Sequence, residues 1–195
     1  MRFIKEHSYD AVRLFINQVG ITIFSLVIYT AANLIDNSDL SGSLRPWLSV
    51  FAIMFYFSLI YNVAWEMGAK DKLRLTADEL HRSRFNGALV SLMANSLNLL
   101  IAALAVISSL IYILGGGEIF NTVFVLLNFA MRFLSAMFLG VIQKIFVSVD
   151  DVTMRYLYES VGYLLAPVLS IGVTQLGYAL GMREFKILSS FSGRK

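Results

Sequence analysis

Apolar residues run along this chain in long blocks separated by short polar stretches, and the block lengths predict the fold. A bilayer core about 30 Å thick needs roughly twenty mostly apolar residues at ~1.5 Å rise each. That ruler predicts helices over residues 12–34, 47–66, 88–114, 120–142 and 156–180. None of the blocks alternates strictly in units of about ten residues, which argues against a transmembrane β-barrel. The expected fold class is therefore all-α, a polytopic integral membrane bundle of five transmembrane helices, or six if the fourth span is divided.

The interruptions read as connections. "DNSDLSGSLRP" at 36–46 is polar and turn-rich, and "GGGE" at 115–118 is a tight break. The connection over 67–87 is basic, carrying Lys70, Lys72, Arg74, Arg82 and Arg84 as candidate contacts to anionic lipid or to a partner. Thr76 and Glu79 have capping-box spacing, which predicts a helix starting near Ala77. The apolar run after Arg2 and Lys5 exceeds the ~7–15 residues of a signal-peptide core, so it is read as a retained span.

Short loops on the cytoplasmic side carry the excess of Lys and Arg. With Arg2, Lys5 and Arg13 beside the first span, the N terminus is expected in the cytoplasm and the protein in the plasma membrane. Five spans send Arg183, Lys186, Arg194 and Lys195 outside, against the same rule. A re-entrant hairpin over 120–149, with Arg132 near its inner turn, returns the C terminus to the cytoplasm instead. Its halves are short for full spans, so the length ruler favours five.

Composition agrees with lipid as the solvent. Hydrophobic residues make up 57% and charged residues 15% of the chain, against roughly 45–50% and about 25% in soluble domains. The net charge of +3 is spread between the apolar blocks and forms no basic stripe, so no nucleic-acid partner is expected. The absence of cysteine excludes disulfides and thiolate chemistry.

Polar residues inside the blocks fall at helical spacing. The third block offers Ser91, Asn95, Asn98, Ala102 and Ser109, and the first offers Gln18, Thr22, Ser25 and Tyr29. The second offers Ser58, Asn62 and Glu66; the fourth Asn121, Asn128, Arg132 and Ser135; the fifth Glu159, Ala166, Ser170 and Thr174. An exposed amide in hydrocarbon is costly, so these stripes are expected to face other helices or water. Arg132 needs a partner, and Glu159 and Glu66 are the candidates. Asn95, Asn98, Asn128, Arg132, Glu159 and Glu66 thus form a candidate polar pocket. Hydrogen bonding between membrane helices accounts for the same stripes without a ligand.

No catalytic, metal or cofactor site is expected. His7 and His81 are far apart in sequence, no H-E-x-x-H, phosphate loop or nucleophile elbow occurs, and a lone histidine near a loop reads as solvated. Asp150 and Asp151 lack the third carboxylate of an aspartate-rich metal motif, since Met154 and Arg155 stand there, and read as a helix start. Transport or capture of a small solute is the leading functional expectation. The alternative is a non-catalytic assembly or regulatory subunit that binds other membrane proteins or a second copy of itself; an enzyme is third.

Overall fold

The computed structural model describes residues 2–34, 38–77 and 85–183, and the described part is helical throughout except for turns. Its helices are α1 (Arg2–Leu34), α2 (Ser38–Thr76), α3 (Asn86–Ala94), α4 (Ser96–Ile113), α5 (Glu118–Leu134), α6 (Ala136–Phe146) and α7 (Val152–Met182). Four segments are long and apolar enough to cross a membrane: His7–Ala31, Leu44–Leu75, Ser96–Ile113 and Met154–Met182. A fifth is added if α5 and α6, which meet at 85°, count as one span. The predicted span at 88–114 is interrupted at Asn95, between α3 and α4. α2 continues to Thr76, across the first part of the basic stretch, and the helix expected to start near Ala77 runs into residues that are not described. Glu79, His81, Arg82 and Arg84 lie outside the described residues.

The chain forms two compact units. The terminal unit comprises Met1–Asn17, Phe57–Ala94 and Leu169–Lys195; the central unit comprises Gln18–Tyr56 and Asn95–Val168.

In the terminal unit the helices pack almost backbone to backbone. A methyl group at Gly177 or Gly181 of α7 would collide with the carbonyl oxygen of Tyr61 or Trp65 on α2. One at Gly68 of α2 would strike the Tyr178 carbonyl of α7. Small residues allow such approach where lipid supplies no hydrophobic drive between helices. The contacts also fix direction. Residues 61 and 65 meet 177 and 181, so α2 and α7 run parallel. Arg13 meets Glu66 while His7 meets Asp71, so α1 is antiparallel to α2. Gly87 meets Tyr178 while Ser91 meets Thr174, so α3 is antiparallel to α7.

In the central unit α4 and α5 form an antiparallel hairpin. Its turn follows from three glycines. Gly115 adopts a left-handed φ of 96°, Gly116 N–H donates to Ile111 O at 2.9 Å and Gly115 N–H to Tyr112 O at 3.1 Å. That pair of bonds is a Schellman termination, which satisfies two of the carbonyls left over at a helix end. α5 runs parallel to α7: Phe124 packs at a tilt against Tyr156, Asn128 bonds Ser160, and Arg132 bonds Glu159. α6 runs the other way, with Ile142 against Gly162 and Phe146 against Tyr158.

The break at Ser135 is held by side chains from distant parts of the chain. Thr22 of α1 donates its hydroxyl to Leu134 O at 3.0 Å. Ser49 of α2 donates to Met137 O and accepts from Val141 N–H, bridging two groups that ordinarily pair across one helical turn. A broken helix at membrane depth persists only where protein satisfies its freed backbone groups, and Thr22 and Ser49 do so here. Gly140 lets α6 approach the Arg45 carbonyl of α2.

Candidate functional site

The break sets the geometry of the polar cluster in the central unit. Because α5 ends at Leu134, Arg132 lies in its last turn, where a cation also favours the negative end of the helix dipole. Its Nη2 donates to Glu159 Oε2 at 2.6 Å, and its guanidinium lies 5.1 Å from the Tyr156 ring centroid. Arg155 Nε donates to the other oxygen, Oε1, at 3.4 Å. Glu159 is fully buried, while Arg132 and Arg155 remain 29% and 35% exposed. One carboxylate is therefore shared by two guanidiniums that can still be reached from outside.

Neighbouring groups extend the cluster. Asn128 Nδ2 donates to Ser160 Oγ at 3.0 Å, and Ser160 in turn donates to Tyr156 O one turn earlier on α7. Tyr163, one turn after Glu159 on the same helix, is fully buried. Its hydroxyl has no hydrogen-bond partner, and neither has Arg132 Nε. Tyr29 donates its hydroxyl to Gln143 Oε1 at 2.7 Å and carries the Arg45 guanidinium 5.8 Å from its ring centroid; Arg45 Nε is also buried without a partner. Beside Tyr29 a cavity lined by Ser25, Ser49, Ala136 and Met137 has room for about one water. The buried Ser25 hydroxyl, which no protein group satisfies, supplies a polar wall for it.

The residues singled out from the sequence divide between the units. Arg132, Glu159 and Asn128 come together as described. Asn98 is buried on α4 with an unpartnered Oδ1. The Ser108 to Phe120 hydrogen bond fixes the α4–α5 register, and ten residues along each antiparallel helix brings Asn98 to the level of the last turn of α5. Asn95 is buried at the α3–α4 break. Glu66 belongs to the terminal unit, where it accepts from Arg13 at 2.6 Å, with both side chains partly exposed. Lys70, Lys72 and Arg74 occupy the last turns of α2, with Lys70 and Arg74 exposed. The contact assignments for Arg82 and Arg84 fall outside the described residues.

The stripes on the first, third and fifth blocks face inward: Gln18, Thr22, Ser25, Ser91, Asn95, Asn98, Ser109, Glu159, Ser170 and Thr174 are all buried. The second block departs from expectation, since Ser58 and Glu66 are exposed. The buried face of α2 is Ala52, Tyr56, Ile60 and Ala64, a four-residue series whose small and aromatic members fit the close contacts to its neighbours.

A second polar cluster, in the terminal unit, has no counterpart among the sequence expectations. His7, read as solvated, is only 1% exposed. Its Nδ1 lies 3.6 Å from Asp10 and its Nε2 lies 3.9 Å from Asp71. The buried Asp71 also accepts from the Tyr178 hydroxyl at 3.0 Å and lies 3.9 Å from Arg74. Spacing held the signal: residues 7, 11, 14, 18, 22 and 25 are all buried on α1 at three- and four-residue steps, so His7 is in phase with the Gln18 stripe. Among the described residues no group of three or more His, Cys, Asp or Glu side chains is arranged to hold a metal ion.

Comparison of the chain with protein-family models, curated proteins and solved structures finds no match, so the functional reading rests on these residues.

Proposed function

We propose that the chain is an integral membrane protein of the plasma membrane that captures or transports a small solute at the central-unit cluster around Arg132 and Glu159. The observation that carries this reading is the bend at Ser135, which ends α5 where partly accessible Arg132 reaches a fully buried carboxylate that Arg155 of α7 also shares. Discontinuous helices at membrane depth recur in transporters because their ends supply polar groups for a substrate. An ionisable residue inside a span is costly and by default marks a functional site.

The helix directions support a finer topology. Within the terminal unit α1, α2, α3 and α7 alternate in direction, and within the central unit α5 is parallel to α7 while α6 returns. Within the central unit α5–α6 then enters and leaves on one side. In the terminal unit the start of α1 and the end of α7 lie beside the end of α2, and we assign that end, with its Lys70 and Arg74, to the cytoplasm because short basic connections favour that side. Five full crossings would leave His7 and Tyr178 on opposite sides, yet both approach Asp71.

A second reading, a non-catalytic subunit bound to other membrane proteins, is favoured by the apolar outer face of α5. Ile119, Val123, Leu126, Phe129 and Phe133 are all exposed there, a face that lipid or a partner helix would cover. The deciding experiment is thermal unfolding of the detergent-purified chain across a panel of small solutes and ions, with Arg132→Leu and Asn98→Leu alongside. Specific stabilisation that either substitution abolishes supports the solute site. Absence of stabilisation in a folded sample, with a copurifying membrane protein, supports the subunit.

A further inference from the structure

We propose that the ligand of this cluster is an oxyanion, a carboxylate or phosphate group held by Arg132, Arg155 and the Tyr163 hydroxyl; the proposal rests on the solute-site reading above.

The balance of donors and acceptors is the first argument. Glu159 uses one oxygen for Arg132 and the other for Arg155, yet each guanidinium has five N–H donors. Donors are among the groups left over: Arg132 Nε, Arg45 Nε and the Tyr163 hydroxyl are buried with no partner. Buried donors without acceptors are costly, and an oxyanion with several lone pairs would satisfy more than one of them. The unpaired oxygens of Gln18 and Asn98 do not offset this surplus, because turning the amide exchanges oxygen for nitrogen.

Charge and access agree. Arg132 and Arg155 outnumber the carboxylate they share, and Arg45, over the Tyr29 ring, adds a third cation to the central unit. A cationic ligand would have to displace two guanidiniums to reach Glu159, which is fully buried. An anion meets the guanidiniums directly, since these are the partly exposed members. Arg155 lies in the first turn of α7, about 5 Å along the axis from its start at Val152. The fork of a guanidinium matches carboxylate and phosphate geometry, and the Tyr156 ring beside Arg132 restricts its orientation before a ligand arrives. The same chemistry fits a free organic acid or phosphate and the phosphate of a lipid headgroup.

The test is thermal unfolding of the full chain in non-ionic detergent with potassium phosphate, potassium succinate, choline chloride or sucrose, each read against potassium chloride at equal ionic strength. A second arm uses phosphatidylcholine vesicles with and without phosphatidylglycerol. Arg155→Gln removes one guanidinium, and Tyr163→Phe keeps the volume while removing the unpaired hydroxyl. The expected result is stabilisation by phosphate or succinate, with about tenfold weaker apparent affinity in both variants. If phosphatidylglycerol alone stabilises, and Arg155→Gln removes the effect, the oxyanion is a lipid headgroup and the solute reading fails while the oxyanion assignment stands. Stabilisation by choline or sucrose without any anion response overturns the oxyanion and leaves the solute site. No response in either arm, from a sample that unfolds cooperatively, overturns both.

Discussion

In the terminal unit the buried acid Asp71 is met by His7, Arg74 and Tyr178 from three helices, and the backbones around it approach so closely that only glycine fits. In the central unit the buried acid Glu159 is met by two arginines, one from the end of a broken helix, and donors beside it remain unsatisfied. Both units bury polar side chains on apolar helices. The first arrangement joins helices whose faces are already in contact. In the second, two partly exposed guanidiniums share the buried carboxylate, which mere helix pairing does not require, and that is why the solute site is proposed there.

The comparison can be broken most strongly at Glu159. Glu159→Gln leaves Arg132 and Arg155 without their shared counter-charge; removing one partner of a fully buried pair costs about 3–5 kcal/mol, an upper bound here because both guanidiniums are partly exposed. A large fall in unfolding temperature is expected, with recovery when Arg132 is also replaced by a neutral residue of similar length. On the terminal side, Gly181→Ala forces a methyl group against the Trp65 carbonyl. Overpacking of this kind costs about 1–3 kcal/mol, and the loss is expected without any change in response to solutes. Glu66→Gln should be milder still. Its pair with Arg13 is partly exposed, such pairs contribute at most about 1 kcal/mol, and solute response should again be unaffected. Tyr163→Phe is expected to leave unfolding of the unliganded protein unchanged or slightly raised, because the hydroxyl it removes has no partner.

The lengths of the apolar blocks anticipate the long helices, because hydrocarbon thickness acts on every residue alike. Polar spacing likewise anticipates the inward faces of α1, α4 and α7, and Glu159 was one of two partners it offered for Arg132. The break at Ser135 is not legible locally. The stretch "FLSAMFLGV" holds no proline, and the groups that sustain the bend, Thr22 and Ser49, stand 112 and 88 residues from the carbonyls they bind. Glu66 was misjudged as a partner for Arg132 because spacing along one helix carries no information about which neighbour that face meets; Arg13 takes it instead. His7 was missed because it precedes the apolar block, although its buried phase continues through the first turns of α1.

The account turns on α5–α6 entering and leaving on one side, and the cysteine-free chain allows this to be measured directly. Single cysteines at Gly117, Asp150, Lys70 and Arg183, labelled with a membrane-impermeant maleimide in oriented vesicles, report the side of each position. The prediction is that Gly117→Cys and Asp150→Cys label from one side while Lys70→Cys and Arg183→Cys label from the other. Labelling of Asp150→Cys from the side of Lys70→Cys would make α5–α6 a full crossing and contradict the account.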